Sequence, residues 1–193
     1  MHRRPHWQKV ILRRVIALVT WALLPAGLGS STFAQAPGEY QVKAAFLYKF
    51  TKFVDWPQEP GGDAPGSLVI CVVGDDPFGD TLDKVVEGKS VNGQSIIVRR
   101  MKSIQNAQAC RIAFISSSEK ARFRLLLDFL KGSSVLTVGD TEGFAEMGGV
   151  INFTMEEDHV RFEINVDAAK RARLNISAKL LGLAKIVRTE HSG

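Results

Sequence analysis

Histidine is nearly missing. The 193-residue chain has four, and beyond residue 36 only His159 and His191 remain. A Ser-His-Asp device or a histidine-rich zinc site needs an imidazole held by supporting groups. His159 falls in a polar turn and His191 near the end of the sequence, so neither offers that support. The Gly-x-Gly-x-x-Gly spacing and the phosphate-loop lysine are also missing, which removes the usual phosphate cradles. Past the first 24 residues no apolar run reaches the roughly 20 residues of a membrane-spanning helix. No repeat and no low-complexity tract interrupts the chain. These absences argue against an enzyme and call for no cofactor and no metal.

The excess of positive charge is local. Arg3, Arg4, Lys9, Arg13 and Arg14 precede any acidic residue and account for the whole net charge of +5. The apolar run Val15–Leu24 follows, then Pro25, Gly27 and Gly29, then the small-x-small exit Ala34-Gln35-Ala36. A basic start, a short apolar run and small residues at the exit form a secretory signal. Cleavage is expected after Ala36, leaving a neutral domain over residues 37–193 with no electrostatic reason to bind nucleic acid. No direct membrane insertion is expected after that cut.

Two cysteines remain, Cys71 and Cys110. In an exported chain an even pair suggests a disulfide. Cys71 lies in the apolar run Leu68–Val73 and Cys110 directly precedes Arg111–Ile115. If those runs are neighbouring strands the sulfurs can meet; two buried free thiols are the alternative.

Periodicity supplies the fold class. Glu39–Trp56 reads as a helix with two apolar stripes, too apolar to lie on a sheet with its back in water. Either a C-terminal helix or another chain must cover the second stripe. Leu68–Val73, Ser95–Arg99, Arg111–Ile115 and Val135–Val138 read as strands. A short helix around Leu82, Val85 and Val86 separates the first two. A second helix, capped by Ser116–Ser118, carries Phe123, Leu126, Leu127 and Leu130. Alternating strands and helices imply parallel crossovers. Period-two patterns around Val150–Thr154 and Val160–Val166, joined by Glu156–His159, predict an antiparallel hairpin at the sheet edge. Asp167 offers a cap for a short turn, and Asn175 a cap for a closing helix through Ile176, Leu180, Leu183, Ala184 and Val187. The whole predicts one three-layer, Rossmann-like α/β domain with a mainly parallel sheet.

Two surfaces are candidates for function. Ligands in open α/β sheets collect at the carboxyl ends of strands. The loops Gly74–Phe78 and Gly139–Phe144 follow predicted strands and could share one edge as a small-molecule site. Asp75, Asp76 and Asp80 could hold a divalent cation there through carboxylate oxygens, but ordinary capping and first-turn roles account for them better. The other surface is the aromatic excess of the first helix: Tyr40, Phe46, Tyr48, Phe50, Phe53 and Trp56. Aromatic residues concentrate binding energy at interfaces, so this helix is the candidate dimer or partner surface. Lys170, Arg171 and Arg173 read as a solvated face.

The motifs Phe46-Leu47-Tyr48-Lys49-Phe50-Thr51-Lys52-Phe53-Val54-Asp55-Trp56-Pro57 and Gly148-Gly149-Val150-Ile151-Asn152-Phe153 occur in this order. Phe162-Glu163-Ile164-Asn165-Val166 and Leu180-Leu181-Gly182-Leu183-Ala184 complete the set. Together they resemble YfiR-like periplasmic proteins over residues 40–188. The resemblance implies an α/β fold, periplasmic export, a homodimer, and a structural bridge between Cys71 and Cys110. It further implies binding to the periplasmic part of an inner-membrane diguanylate cyclase, repressing it and so lowering cyclic di-GMP and restraining biofilm formation. Some members carry a second disulfide; Ala145 and Asn152 stand where it would form here. A small-molecule sensing module coupled to another receptor or sensor kinase is the alternative.

Overall fold

The computed structural model describes residues 38–57, 66–102 and 104–189. The expected leader, His191 and the proline- and glycine-rich stretch 58–65 lie outside those residues. The chain runs α1 (Glu39–Phe53), β1 (Val54–Asp55), β2 (Leu68–Val73), α2 (Thr81–Val86), β3 (Ser90–Val91) and β4 (Gln94–Met101). A 3-10 turn over Ile104–Ala109 leads to β5 (Ile112–Ile115). A second one, Ser117–Arg122, leads into α3 (Phe123–Leu130) and β6 (Leu136–Gly139). Then come β7 (Ile151–Glu156), β8 (His159–Asn165), α4 (Val166–Arg171), β9 (Asn175–Ile176), α5 (Ala178–Leu181) and β10 (Lys185–Val187).

Eight strands form one sheet in the order β10-β8-β7-β6-β5-β2-β4-β3. From β4 through β2, β5 and β6 to β7 every neighbour is parallel. Numbered along the chain, these five parallel strands have the order 2-1-3-4-5, a doubly wound arrangement. β2 sits inside it, and all six of its residues are buried, as an unbroken apolar strand requires. Its side chains alternate between two cores: Leu68, Ile70 and Val72 face one, Val69 and Cys71 the other. The first core is covered by α1, α2 and α4, whose Leu47, Phe50, Leu82, Val86, Ala168 and Ala169 belong to it. The second is covered by α3 through Phe123, Leu126 and Leu130, and by the buried ring of Phe144. Three layers result, as the pattern of the sequence predicts.

The end of the chain departs from expectation. The closing helix expected after Asn175 is reduced to the single turn of α5. Ahead of it β9 pairs with β1, Val54 facing Ile176, and Ser177 rather than Asn175 caps α5, its hydroxyl accepting from the Leu180 amide. Gly182 closes that helix after one turn, leaving Leu183 exposed, and Ile186 and Val187 enter β10. β-branched residues beyond a glycine favour a strand, and β8 offers them a partner edge. Consequently the hairpin is not the sheet edge: β10 lies parallel outside β8, Ile186 against Ile164. The cap of α4 is Asn165, whose Oδ1 accepts from Ala168, and not Asp167. The hairpin turn itself is formed by Glu157 and Asp158, both at positive φ (47° and 61°), as a tight two-residue connection demands.

Cys71 and Cys110 form a disulfide with Cα atoms 6.0 Å apart. Cys71 sits mid-β2 and Cys110 at the entrance to β5, its neighbour in the sheet. Both are buried, so the bridge ties adjacent strands across the second core.

Candidate functional site

The carboxyl edge of the sheet is filled at the β2–β5 reversal. The chain reverses between β2 and β5, where a doubly wound fold would open a crevice. Here the two following loops lie directly on one another. The Asp75 amide donates to Ser118 Oγ at 3.0 Å, and Ser116 donates to the Val73 carbonyl at 3.0 Å. Gly74 has φ of +91°, and a Cβ there would stand 2.5 Å from Ser118 Oγ. Only glycine fits both that backbone and that approach. Phe78 fills the neighbouring space, its ring edge-on to Tyr40 (5.4 Å) and Phe114 (4.8 Å). At the second loop Phe144 lies so close to Gly139 that a Cβ there would meet its ring at 2.6 Å. The two loops do share one edge of the sheet; the buried rings of Phe78 and Phe144 fill the space beside them, while Glu142 and Gly143 of the second loop border a cavity shared with Lys120 and Arg124.

The acidic residues of the first loop diverge. Asp76 accepts from the Phe78 amide (2.8 Å) and from Arg100 Nε (2.6 Å). Arg100 also pairs with Asp83 and donates to the Gly79 carbonyl, which fastens β4 to the loop and to α2. That guanidinium, hydrogen-bonded to Asp83, holds its carboxyl below the usual range. Asp80 turns to Lys84 at 2.6 Å in the solvent. Among the described residues no three His, Cys, Asp or Glu side chains converge on a possible metal position. His159 is exposed, its ring held by the Glu157 carbonyl at 2.6 Å.

The carboxyl end of β6 instead holds a buried ion pair that periodicity missed. Lys43, on the sheet-facing side of α1, is 3% exposed, and its Nζ lies 2.8 Å from Asp140 Oδ2 and 2.5 Å from Glu39. The Tyr40 hydroxyl donates to the same Asp140 oxygen at 3.0 Å. Burial first, then the Asp140 charge, hold that phenol well above its ordinary range. The sequence reads Lys43 with Lys49 and Lys52 as a narrow wet edge of the helix; the structure buries Lys43 instead, because it stands one turn before Leu47 and two before Phe50 on the core face.

The six aromatic residues of the first helix separate into three groups. Phe50 is fully buried, between Phe153 (5.8 Å) and Phe162 (5.5 Å). It belongs to the core and offers no free surface. Tyr40 and Trp56 are tied down by polar atoms, Trp56 Nε1 donating to the Arg111 carbonyl at 3.2 Å. Phe46, Tyr48 and Phe53 remain partly exposed on the flanks of α1, Phe46 and Phe53 on one and Tyr48 on the other, with Phe46 still packed on Phe162 (5.3 Å) and Phe153 (6.1 Å). The β9 and α5 segment covers part of the helix, the Ser177 amide donating to the Phe53 carbonyl at 3.0 Å. A lysine sits over each of these three rings: Lys49 over Phe46 (5.7 Å), Lys52 over Tyr48 (4.7 Å), Lys179 over Phe53 (5.5 Å). Lys89 approaches Tyr48 from the other side at 5.3 Å.

Strand order, a crevice filled at the β2–β5 reversal and a layered core define a small doubly wound α/β domain. The chain belongs to the YfiR/HmsC-like family, whose model matches residues 40–185. Proteins of this family are periplasmic regulators of diguanylate cyclase. Among the described residues no helix is long and apolar enough to cross a membrane. Among solved structures, a conserved domain protein from Vibrio cholerae O1 biovar El Tor is similar at 10% identity, with a TM-score of 0.52. The match covers 77% of this chain but only 60% of that one, and at such identity it concerns the fold alone. The ABC domain in complex with L-Trp from Streptococcus pneumonia is also 10% identical, at a TM-score of 0.45, covering 62% of this chain and 55% of that one. No curated protein sequence matches.

Proposed function

We propose that this chain is exported by cleavage of its first 36 residues. In the periplasm it represses an inner-membrane diguanylate cyclase by direct contact, lowering cyclic di-GMP. Membership of the YfiR/HmsC-like family over residues 40–185 is the observation that carries this reading. It is supported by the crevice filled at the β2–β5 reversal, where Phe78 is buried, and by the partly exposed rings of α1. The contact surface is then Phe46, Tyr48 and Phe53, with Phe50 beneath them as the support that fixes the helix. Rings held by a packed base lose little conformational freedom on binding, which is what an anchor needs. The mature domain acts as a homodimer in this account and carries no catalytic group.

A pull-down from solubilised membranes, with residues 37–193 as bait, tests the proposal. Recovery of a membrane protein with a diguanylate cyclase domain supports it; recovery of a sensor kinase or chemoreceptor alone contradicts it.

Small-molecule sensing is a second reading, favoured by one feature away from the carboxyl edge. A cavity of about 250 Å³ opens between α3, α4 and the 143–149 loop, lined by Leu127, Leu130, Met147 and Val150, with Arg171 at its wall. A melting temperature raised by a small amphipathic metabolite, and unmoved in Val150→Trp, would favour this reading.

A further inference from the structure

The lysines over the α1 rings lie at one end of the molecule. α1 descends from the carboxyl edge, where Lys43 meets Asp140, to the amino edge, where Trp56 meets the Arg111 carbonyl before β5. Lys49 and Lys52 lie in its lower half. Lys89 lies near the start of β4, its carbonyl accepting from Ile96, and Lys179 follows β9, which pairs with β1 just below the helix. All four therefore gather at the amino edge. Among the described residues none of the four forms an ion pair with a carboxylate.

Helix geometry accounts for part of this arrangement, since cations are favoured in a last turn. It does not account for Lys89 and Lys179, which come from other elements and sit over Tyr48 and Phe53, one on each flank of α1. An ammonium within about 6 Å of a ring centroid is drawn to the ring face and held there, at some gain over a freely moving side chain. The rings thus act as seats that hold four ammonium groups along the two borders of the exposed ridge of α1.

We infer that the lower half of α1 is a docking surface for an acidic, carboxylate-bearing segment of a protein partner. This rests on the reading of the chain as a contact regulator and assigns the chemistry of what it contacts. Charge complementarity chooses the occupant: four ammonium groups gathered at one end of the helix, none in an ion pair with a carboxylate among the described residues, are complementary to carboxylates. A second copy is the poorer candidate. The chain's own acidic tip, Glu156, Glu157 and Asp158, stands at the carboxyl end of β7, the opposite edge of the sheet. Head-to-tail contact between such ends propagates rather than closes. A bilayer is poorer too, because Phe46, Tyr48 and Phe53 are each half-covered by the protein body and carry a lysine above them. None projects as an apolar group that could enter a membrane interface.

The test uses the mature chain and a fluorescent, glutamate-rich decapeptide, read by anisotropy at low salt. Binding should weaken at least about tenfold in Lys49→Glu/Lys52→Glu/Lys89→Glu/Lys179→Glu, and should fall steeply with added salt. Reversing Lys120 and Lys131, on the other side of the sheet, should leave it unchanged. Tyr48→Leu, which keeps an apolar body but removes the ring, should weaken binding while the circular dichroism spectrum stays native. Equal loss in the Lys120/Lys131 variant, no binding by the native chain, or binding only to vesicles containing phosphatidylglycerol would each overturn the inference. Peptide binding without recovery of any cyclase leaves this inference standing and removes the repression reading. Cyclase capture that survives the four reversals does the opposite.

Discussion

The Lys43–Asp140 pair yields an asymmetric prediction. Both partners are buried, the side chains 4% and 5% exposed, but their remaining contacts differ. Without Lys43, the Asp140 carboxylate keeps only the Tyr40 hydroxyl at 3.0 Å. Without the Asp140 charge, Lys43 keeps Glu39 at 2.5 Å and the Tyr40 ring at 4.5 Å. Leaving a buried charge uncompensated costs roughly 3–5 kcal/mol, whereas weakening one hydrogen-bonded contact of a charge that keeps another costs about 1–2 kcal/mol. Lys43→Met should therefore fall in the first range and Asp140→Asn in the second. Replacing both, Lys43→Met with Asp140→Leu, should recover most of the loss, because an apolar pair of similar volume needs no desolvation of charge. Urea unfolding followed by circular dichroism reads all three. At a slope near 2 kcal/mol/M, the Lys43→Met midpoint should move by about 2 M and the Asp140→Asn midpoint by less than about 1 M. Equal shifts, or a double variant less stable than Lys43→Met, would refute the reasoning.

Two further predictions follow from the same packing. The bridge between Cys71 and Cys110 spans a sequence separation of 39, so its removal should cost up to about 4 kcal/mol in the chain-entropy account. For a domain of this size that lowers the melting temperature by roughly 8–16 °C. Complete reduction, verified by two reacting thiols, with the transition moved by less than about 2 °C would exclude that role. The chain has two tyrosines, and Tyr40 should stay protonated when an ordinary phenol ionises near pH 10. Its folded-state value is raised, so the associated stability is complete below the unfolded value and declines as pH rises through and beyond it. Absorbance titration at 295 nm should give the same folded-state curve for native chain and Tyr40→Phe up to pH 11; a missing ionisation in the variant near pH 10 would contradict this.

The parallel part of the fold was readable because its signals agree. Leu68–Val73 is continuously apolar and forms a doubly buried strand, and the α3 residues Phe123, Leu126 and Leu130 keep one face. The chain end was misread because Ile176, Leu180, Leu183 and Val187 mimic helical spacing. Only pairing with β1 and β8, distant in sequence, decides that they form β9, one helical turn and β10. The candidate surface was half readable. Aromatic content marked α1, yet one period could not tell Phe50, sealed by Phe153 and Phe162, from Tyr48, which carries two lysines. Lys89 and Lys179 reach those rings only through the tertiary fold.

Quantifying cyclic di-GMP in cells tests the central claim most directly. Deleting the gene should raise the nucleotide, the native chain should restore it, and Tyr48→Ala/Phe53→Ala, exported and folded to normal levels, should not. A level indifferent to the deletion, or fully restored by that variant, would contradict repression through α1.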